Sequence, residues 1–151
     1  MKTTMNNTIN TITRNDVIDG KDKDMILEVN RLKSFKSWPF RSGNCTKYTV
    51  SVSGFYHCNI DGEVDGVRCF CCFKELDGWD TTDNPQIEHK RNNNCYFANL
   101  GKPESQLTVK EFLKVMEERE VNLMNLRIET MNEMEKLVIT ELGLKIDDKI
   151  Y

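Results

Sequence analysis

The sequence predicts an α+β fold, in which a small domain with an antiparallel sheet is followed by one long C-terminal helix. Three observations lead to this prediction. Two short β-branched and aromatic runs are joined by glycine-containing turns, cysteines and a histidine show metal-ligand spacing, and a helical pattern fills most of the last third of the chain. A chain of 151 residues is too short for two ordinary domains with separate cores, so we expect one core.

The composition is that of a soluble chain with little overall charge. Hydrophobic residues make up 38%, charged residues 30%, and the net charge is −3, so we expect charge recognition to be local and no direct nucleic-acid partner. No apolar run approaches the roughly 20 residues that span a bilayer, and the start of the chain lacks the apolar core of a secretory signal. We therefore expect no membrane partner and a cytosolic or nuclear location, where cysteines remain reduced and metal binding is favoured over disulfides.

The sequence divides into four segments. Residues 1–24 are polar and predict a flexible tail, since they offer too little apolar surface to offset ordering. Residues 25–104 predict the metal-binding domain, residues 105–143 the long helix, and residues 144–151 a second tail.

Within the domain, the pattern predicts short elements. Apolar residues at Ile26, Val29, Leu32 and Phe35 predict a helix that ends at Pro39. Residues 48–60 allow a helix or a strand before a glycine and a strand after it. A turn at 61–66, a strand over VRCFCCF (67–73) and a turn over ELDGWD (75–80) follow, which indicates a small antiparallel sheet.

The last third of the chain predicts one amphipathic helix. Thr108 and Glu111 fit a capping box, and Gly143 lies where a left-handed C-terminal cap is expected. About 34 residues at 1.5 Å each give about 50 Å, which outreaches so small a domain, so the apolar stripe is expected to meet another chain. The alternative is a helix that packs on its own domain. The predicted partner-facing positions are Val121, Met124, Ile128, Met131, Val138 and Leu142.

Four residues form the candidate metal site. Cys69 and Cys72 are two residues apart, His89 follows Cys72 after sixteen residues, and Cys95 follows His89 after five. Three thiolates and one imidazole favour a single Zn²⁺, and a closed shell of four protein ligands predicts a structural role. Cys71, next to Cys72 in the predicted strand, should point to the opposite face.

Other interpretations of the cysteines stay open. The four residues could be reduced core thiols with an incidental histidine, or His57 or Cys58 could replace one ligand. Cys45 and Cys58 are interpreted as small buried hydrophobes. No nucleophile and base stand out, so catalytic residues are not expected and the chain is not predicted to be an enzyme. Too few cysteines and histidines remain for a RING ligase, which needs eight ligands.

An acidic segment follows the cysteines. Carboxylates at 75, 77, 80, 83 and 88 face only one lysine, and Trp79 lies in a turn where an exposed ring is expected. Carboxylates beside a small apolar pocket suit a protonated N-terminal amine whose first side chain is small. The alternative is a solvated, charged turn.

These residues, taken together, resemble the BIR (baculoviral inhibitor-of-apoptosis repeat) family over roughly residues 25–120. SFKSWPF, GFYHC, RCFCCFKELDGWD and LTVKEFLK are similar to the branch of this family that has a single BIR and a long C-terminal helix. The motifs that carry the resemblance are Arg31-Leu-Lys-Ser-Phe35, Trp38-Pro39, Ser53-Gly-Phe-Tyr56, Cys69-x2-Cys72, Gly78-Trp79, His89 and Cys95. BIR domains usually have six residues between the last two ligands, so the five here indicate a one-residue deletion within 91–94.

The resemblance implies a BIR fold, with a three-stranded antiparallel sheet and short helices around zinc. It also implies a subunit of the chromosomal passenger complex in nucleus and cytoplasm. The long helix would bundle with an INCENP-like scaffold and a borealin-like subunit, and would thereby bring an Aurora-type kinase to the centromere and the spindle midzone in mitosis.

The resemblance further implies a peptide groove for a histone tail that begins Ala-Arg-Thr-Lys. Asp77 and Asp83 would bind the terminal amine, and Leu76 and Trp79 would line the alanine pocket. Later peptide residues would meet Glu63, Asp65 and Lys74. The family reads a phosphate on the third residue with this lysine and with a histidine that is absent here near Asn92, so selectivity for a phosphorylated tail is not predicted.

An alternative function is apoptosis regulation, in which the same groove binds caspases or the antagonists of apoptosis inhibitors. A protein that acts through the groove alone has no need of the long helix, and this feature separates the two functions. Whether the chain forms a homodimer stays an open question. In this branch of the family, an aromatic residue of the N-terminal arm meets one in the linker before the long helix across the two-fold axis of the dimer. Here the linker position is Glu104 and the arm offers only Ile26 and Leu27.

Overall fold

The computed structural model describes residues 21–143. It contains a three-stranded antiparallel sheet in the order β1-β2-β3, which confirms the predicted α+β class. The strands are β1 (Phe55–His57), β2 (Val67–Cys69) and β3 (Glu75–Leu76). The predicted tail at 144–151, and most of the one at 1–24, lie outside the described residues.

Five α-helices surround the sheet in the described chain. They are α1 (Glu28–Ser34), α2 (Lys47–Val52), α3 (Pro85–Lys90), α4 (Tyr96–Leu100) and α5 (Val109–Leu142), and 3₁₀ helices cover Lys21–Ile26 and Glu104–Gln106. Asn84 caps α3 by accepting from two backbone amides, and Pro85 follows at its first position. The first helix ends at Ser34 instead of running to Pro39, so its predicted end is wrong.

The strand boundaries correct two predictions. The segment VRCFCCF is a strand only as far as Cys69, because the chain then turns through Phe73, whose φ is +60°. The segment predicted as a turn begins with β3, where Glu75 lies opposite Arg68. The Arg68 guanidinium donates two hydrogen bonds to the Glu75 carboxylate, and both side chains are buried. This cross-strand ion pair holds the edge of the sheet.

An arginine lies inside the aromatic core. The Arg31 side chain is fully buried, with its guanidinium 4.4 Å from the centre of the Phe70 ring. Its Nε donates to the Ser51 carbonyl at 3.0 Å, and its Nη2 lies 3.6 Å from the Glu104 carboxylate. Glu104 also accepts a hydrogen bond from the backbone amide of Glu28 at 2.6 Å. Arg31 therefore joins α1 and α2 to the linker that precedes α5.

Helix α5 has 34 residues and both predicted caps. Thr108 and Glu111 form the capping box, and Gly143 adopts a left-handed C-cap with φ +60°. Val115, Arg119 and Leu123 are buried on the domain, while the apolar residues from Met124 to Leu142 are largely exposed. The start of the helix therefore packs on its own domain, while an apolar stripe on the far half stays exposed in the described chain. Among residues 21–143, no helix combines the length and the apolar character that a bilayer span requires.

Candidate metal centre and acidic loop

Cys69, Cys72, His89 and Cys95 converge on one point. Their ligand atoms all lie within 4.8 Å of one another, although they come from four different places in the fold. Cys69 ends β2, Cys72 lies in the turn after it, His89 is in α3 and Cys95 is the N-cap of α4. The predicted convergence is therefore confirmed, and the group could hold a metal ion.

The imidazole of His89 is oriented by a backbone carbonyl. Its Nδ1 lies 2.7 Å from the Ser53 carbonyl oxygen, which can only accept, so Nδ1 carries the proton. Nε2 is then the free ligand atom, and it lies 3.5 Å from the Cys72 sulfur. Tetrahedral zinc with bonds of about 2.3 Å to sulfur and about 2.0–2.1 Å to nitrogen separates two such atoms by about 3.5 Å. The donor set and this spacing both fit zinc.

Amide donors surround the sulfur atoms. The backbone amides of Cys71 and Cys72 point at the Cys69 sulfur at 3.3 and 3.5 Å, and the Asn93 side chain donates to the Cys72 sulfur at 3.4 Å. Such outer hydrogen bonds stabilise thiolates. Asn93 lies in the loop between the last two candidate ligands, beside Asn92, whose φ is +50°, a conformation that asparagine tolerates. This loop of five residues brings His89 and Cys95 together.

Gly54 lies against a ring that follows the last candidate ligand. Its φ is +98°, and a Cβ at this position would lie 2.9 Å from the Phe97 ring, whereas its distance of 3.4 Å from Cε1 of His89 is an ordinary contact. A larger residue would strain the backbone and displace Phe97, which lies two residues after Cys95. The glycine that separates α2 from β1 therefore bears on the metal site as well as on the turn.

The electrostatics of the sulfurs decide whether they can all ionise. Burial raises the pKa of the Cys69 thiol well above its ordinary value, whereas hydrogen bonds from Cys69, Cys71 and Cys72 lower the pKa of Cys95. Three crowded thiols cannot all ionise in a buried site unless a positive ion lies between them. With four protein ligands, the shell would be closed, as in structural zinc sites.

The other cysteines and His57 lie outside the group. Cys71 directs its sulfur to the Val115 carbonyl of α5 at 3.8 Å, and it lies in a turn, so the predicted reason for its exclusion, strand alternation, is wrong. Cys45 is fully buried and Cys58 packs against the core. His57 bonds through Nε2 to the Val64 carbonyl at 2.9 Å. All six cysteines are free thiols.

The two glutamates on either side of the acidic loop, residues 77–83, are paired with arginines. Glu75 pairs with Arg68, and Glu88, also buried, pairs with Arg91 at 2.8 Å. Trp79 is only 6% exposed, so the predicted exposed ring is wrong. Its indole packs edge-on against Phe55 at 6.0 Å. The ring is therefore mainly a core residue.

Two predicted peptide contacts already have partners within the chain. Asp65 is buried and accepts from the backbone amides of Gly78 and Trp79 at 3.2 and 2.8 Å, so it shapes the loop. The Lys74 ammonium donates to the carbonyls of Glu88 and Arg91 at 2.9 and 2.7 Å. These two contacts bind it to the end of α3.

The remaining predicted groove residues differ in their exposure. Asp77 and Leu76 are buried, Glu63 is exposed, and Asp83 is half-buried with one carboxylate oxygen accepting from the Asp80 amide at 2.8 Å. Asp83 is thus the most accessible carboxylate of the predicted amine site.

The predicted partner face of α5 is uncovered. Its six residues are each at least half exposed, at 50% for Val121, 57% for Met124, 52% for Ile128, 68% for Met131, 51% for Val138 and 66% for Leu142. Sequence reasoning missed how the other face is attached. The Arg119 guanidinium lies 5.5 Å from the Phe73 ring, and Asn122 donates to the Cys71 carbonyl at 3.0 Å, so α5 is fixed to the turn that follows Cys69 and carries Cys72.

Comparison with known proteins finds matches to BIR domains and to proteins that contain them. The family model described as "BIR: Inhibitor of Apoptosis domain" matches residues 31–99. Baculoviral IAP repeat-containing protein 5 of Cavia porcellus is 43% identical over 100 residues, covering 65% of this chain and 70% of the relative. The Rattus norvegicus protein of the same name is 42% identical with the same coverage. Protein 5.2-A of Xenopus laevis is 42% identical over 106 residues, 66% of this chain and 68% of the relative.

Solved structures of BIR domains are also similar. DIAP1 BIR1 bound to a Grim peptide shares 32% identity with a TM-score of 0.39, over 45% of this chain and 65% of that one. Autoinhibited dIAP1-BIR1 shares 27% identity with a TM-score of 0.42, over 57% of this chain and 79% of that one.

The sheet, the Cys₃His group and the family match define a BIR domain, a class of domain that binds zinc. More narrowly, this chain belongs to the family of baculoviral IAP repeat-containing protein 5, or survivin, whose members are single-BIR proteins with a C-terminal helix.

Proposed function

We propose that this chain is a survivin-like subunit of a chromosomal passenger complex. In this proposal, zinc bound by Cys69, Cys72, His89 and Cys95 holds the BIR domain together. Helix α5 bundles with an INCENP-like scaffold and a borealin-like subunit, which places an Aurora-type kinase at the centromere and later at the spindle midzone.

The exposed part of α5 carries the proposal. Apolar side chains at 124, 128, 131, 138 and 142 recur at intervals of three, four and seven residues, which places them on one face. In the described chain nothing covers this face, and a helix of this kind is stable in water when partner helices bury its stripe. The class of partner is what membership of the survivin family implies, and it belongs to this proposal.

The acidic loop supports a second contact, with a peptide that begins with alanine. Asp83 is half-buried and offers a carboxylate to a protonated amine, with Asp77 buried in the same loop. Leu76 and Trp79 expose almost no surface, so they offer little apolar area and a first side chain as small as that of alanine fits this proposal best. Glu63 is free to meet later residues, whereas Lys74 would have to leave the α3 carbonyls to do so.

Affinity capture from dividing cells tests the helix. We expect an N-terminally tagged chain to recover an INCENP-like scaffold, a borealin-like subunit and the kinase. The double variant Ile128→Glu, Met131→Glu should lose all three while retaining zinc and its unfolding midpoint. Charge reversal on the opposite, polar side of the helix, Glu129→Lys and Glu133→Lys, is the matched control and should retain them.

Peptide titration tests the groove. An Ala-Arg-Thr-Lys histone-tail peptide should bind the zinc-loaded protein, and N-acetylation of the peptide or Asp83→Ala should each weaken binding by about tenfold or more, because each removes one side of a charge-assisted hydrogen bond. Glu133→Ala, which removes an exposed carboxylate from α5, is the control. Unchanged affinity with Asp83→Ala would dispose of the groove assignment.

The family description favours one alternative, inhibition of apoptosis. In that case the same groove would bind caspases or Ala-initiated antagonists. Capture of those proteins by the Ile128→Glu, Met131→Glu variant, with loss in Asp83→Ala, would support the alternative and leave α5 without a role.

A further inference from the structure

The charge of the chain is unevenly distributed. Residues 29–60 contain five of the 21 lysines and arginines and none of the 24 aspartates and glutamates. The net charge of −3 therefore divides into +5 over this segment and −8 over the rest. Arg31 is buried in the core, which leaves Lys33, Lys36, Arg41 and Lys47 exposed at the surface.

Three of these cations surround one cavity of about 350 Å³. We call it the basic aromatic pocket, and its lining residues are Phe35, Lys36, Trp38, Phe40, Arg41, Thr46, Lys47 and Tyr48. Its volume is at the small end of the range for ligand sites, about 300–1,000 Å³, and is large enough for one bulky side chain and its neighbours.

The floor of the pocket is rigid and apolar. Phe35 and Trp38 are buried and meet edge to face at 5.0 Å, and the indole N–H of Trp38 donates to the Cys45 carbonyl at 2.8 Å. Phe40 packs against Trp38 at 5.5 Å, and Tyr48 is 59% exposed. An exposed aromatic ring beside buried ones is typical of binding sites.

The cations of the rim have no acidic partner among the described residues. Within residues 21–143, no salt bridge involves Lys36, Arg41 or Lys47, whereas Arg31, Arg68, Arg91 and Lys102 each pair with a carboxylate. The Lys47 ammonium lies 5.2 Å from the centre of the Tyr48 ring. A pocket with an aromatic floor and three unpaired cations is complementary to an apolar group flanked by negative charges.

We propose that the basic aromatic pocket binds an acidic segment of a partner protein, with one large apolar side chain between the rings and its neighbouring carboxylates against Lys36, Arg41 and Lys47. A bare anion would gain nothing from the aromatic floor. A nucleic-acid strand needs a long track of cations, and the charge of −8 over the rest of the chain would repel it. This site is separate from the acidic loop, which selects a positive group.

Fluorescence anisotropy on the full-length, zinc-loaded protein tests the proposal. The probe is a labelled, N-acetylated Asp-Glu-Phe-Glu-Asp peptide amide, which has no free amine for the acidic loop. We expect saturable binding that weakens with salt. It should also weaken by about tenfold or more in Lys36→Glu, Lys47→Glu, because two attractive contacts become repulsive. Tyr48→Ala should weaken this probe but leave a version with glycine in place of phenylalanine unaffected.

The control makes the same change of charge elsewhere. Lys110 and Lys136 are exposed lysines of α5, and Lys110→Glu, Lys136→Glu should leave the affinity within about twofold. Zinc content and the unfolding midpoint of each variant exclude loss of fold. Equal losses in both double variants, absence of saturable binding, or pocket-dependent binding of a short single-stranded oligonucleotide but not of the peptide would each overturn the proposal. None of these results depends on histone or passenger-complex binding.

Discussion

Two leucines of α5 allow a direct test of how the helix is divided between the domain and a partner. Leu123 is 8% exposed on the domain, whereas Leu137 is 56% exposed. Leu→Ala removes the same three carbon atoms at both positions and alters helix propensity little. Any difference between the two variants in the free energy of unfolding therefore reflects how deeply each leucine is buried in the isolated chain.

The expected magnitude follows from that burial. Three buried carbons at about 0.8 kcal/mol each give about 2.4 kcal/mol, and Leu→Ala in cores costs about 2–5 kcal/mol. Leu123 lies at the edge of the core, so we expect Leu123→Ala to lower the free energy of unfolding by about 2–3 kcal/mol. Leu137→Ala should change it by less than about 0.5 kcal/mol.

Urea unfolding of the zinc-loaded protein measures both effects. The tryptophans, Trp38 and Trp79, are both buried in the domain, so their fluorescence follows its unfolding. With a slope of about 1–3 kcal/mol per molar urea, Leu123→Ala should lower the midpoint by about 0.7–3 M. An unchanged midpoint with Leu123→Ala would refute the proposed division of α5 between domain and partner. An equal shift of the midpoint with Leu137→Ala would also refute it, because the far half of α5 would then pack on its own domain as well.

Three further outcomes are expected. Gly54→Ala should reduce zinc affinity and lower the free energy of unfolding by about 2–3 kcal/mol, as measured by zinc competition and urea unfolding. Gly62 also has a positive φ, +83°, but open space around it, so Gly62→Ala should show only the cost of backbone strain. Arg31→Met should destabilise the domain by about 2–4 kcal/mol in the same urea assay, because it leaves three carbonyls without their donor. A hydrogen bond from Lys102 lowers the pKa of Glu111, so the ionised carboxylate stabilises the start of α5 at pH values above the ordinary glutamate pKa. This stabilisation is lost as the pH falls through the lowered pKa. Helicity measured against pH should show the loss, and Glu111→Gln should abolish this pH dependence.

The metal group and the long helix could be predicted because their signals are local or have few solutions. Cys69 and Cys72 are close in sequence, and a thiol and an imidazole at short spacing have few structural uses other than metal binding. The caps of α5 are each contained within four residues, and its apolar period extends over several turns. Such signals do not depend on how the rest of the chain folds.

The burial of charged and aromatic residues could not be predicted in this way. Arg31 is stable in the core only because Ser51, the carbonyls at 25 and 26, and Glu104 surround it, and these are distant in sequence. Glu75 resembles a surface carboxylate until β3 pairs with β2 and places it opposite Arg68. Trp79 was expected to be exposed because it follows glycine in a turn, yet Asp65 accepts from the backbone of that turn and holds the ring inward.

The central claim is that the far half of α5 is a surface for partner helices, and amide hydrogen exchange along this helix tests it most directly. The measurement compares the free protein with the assembly captured from dividing cells. We predict that amides at 109–123 are protected in both states and that those at 124–142 become protected only in the assembly. Equal protection at 124–142 in both states, or none in the assembly, would contradict the claim.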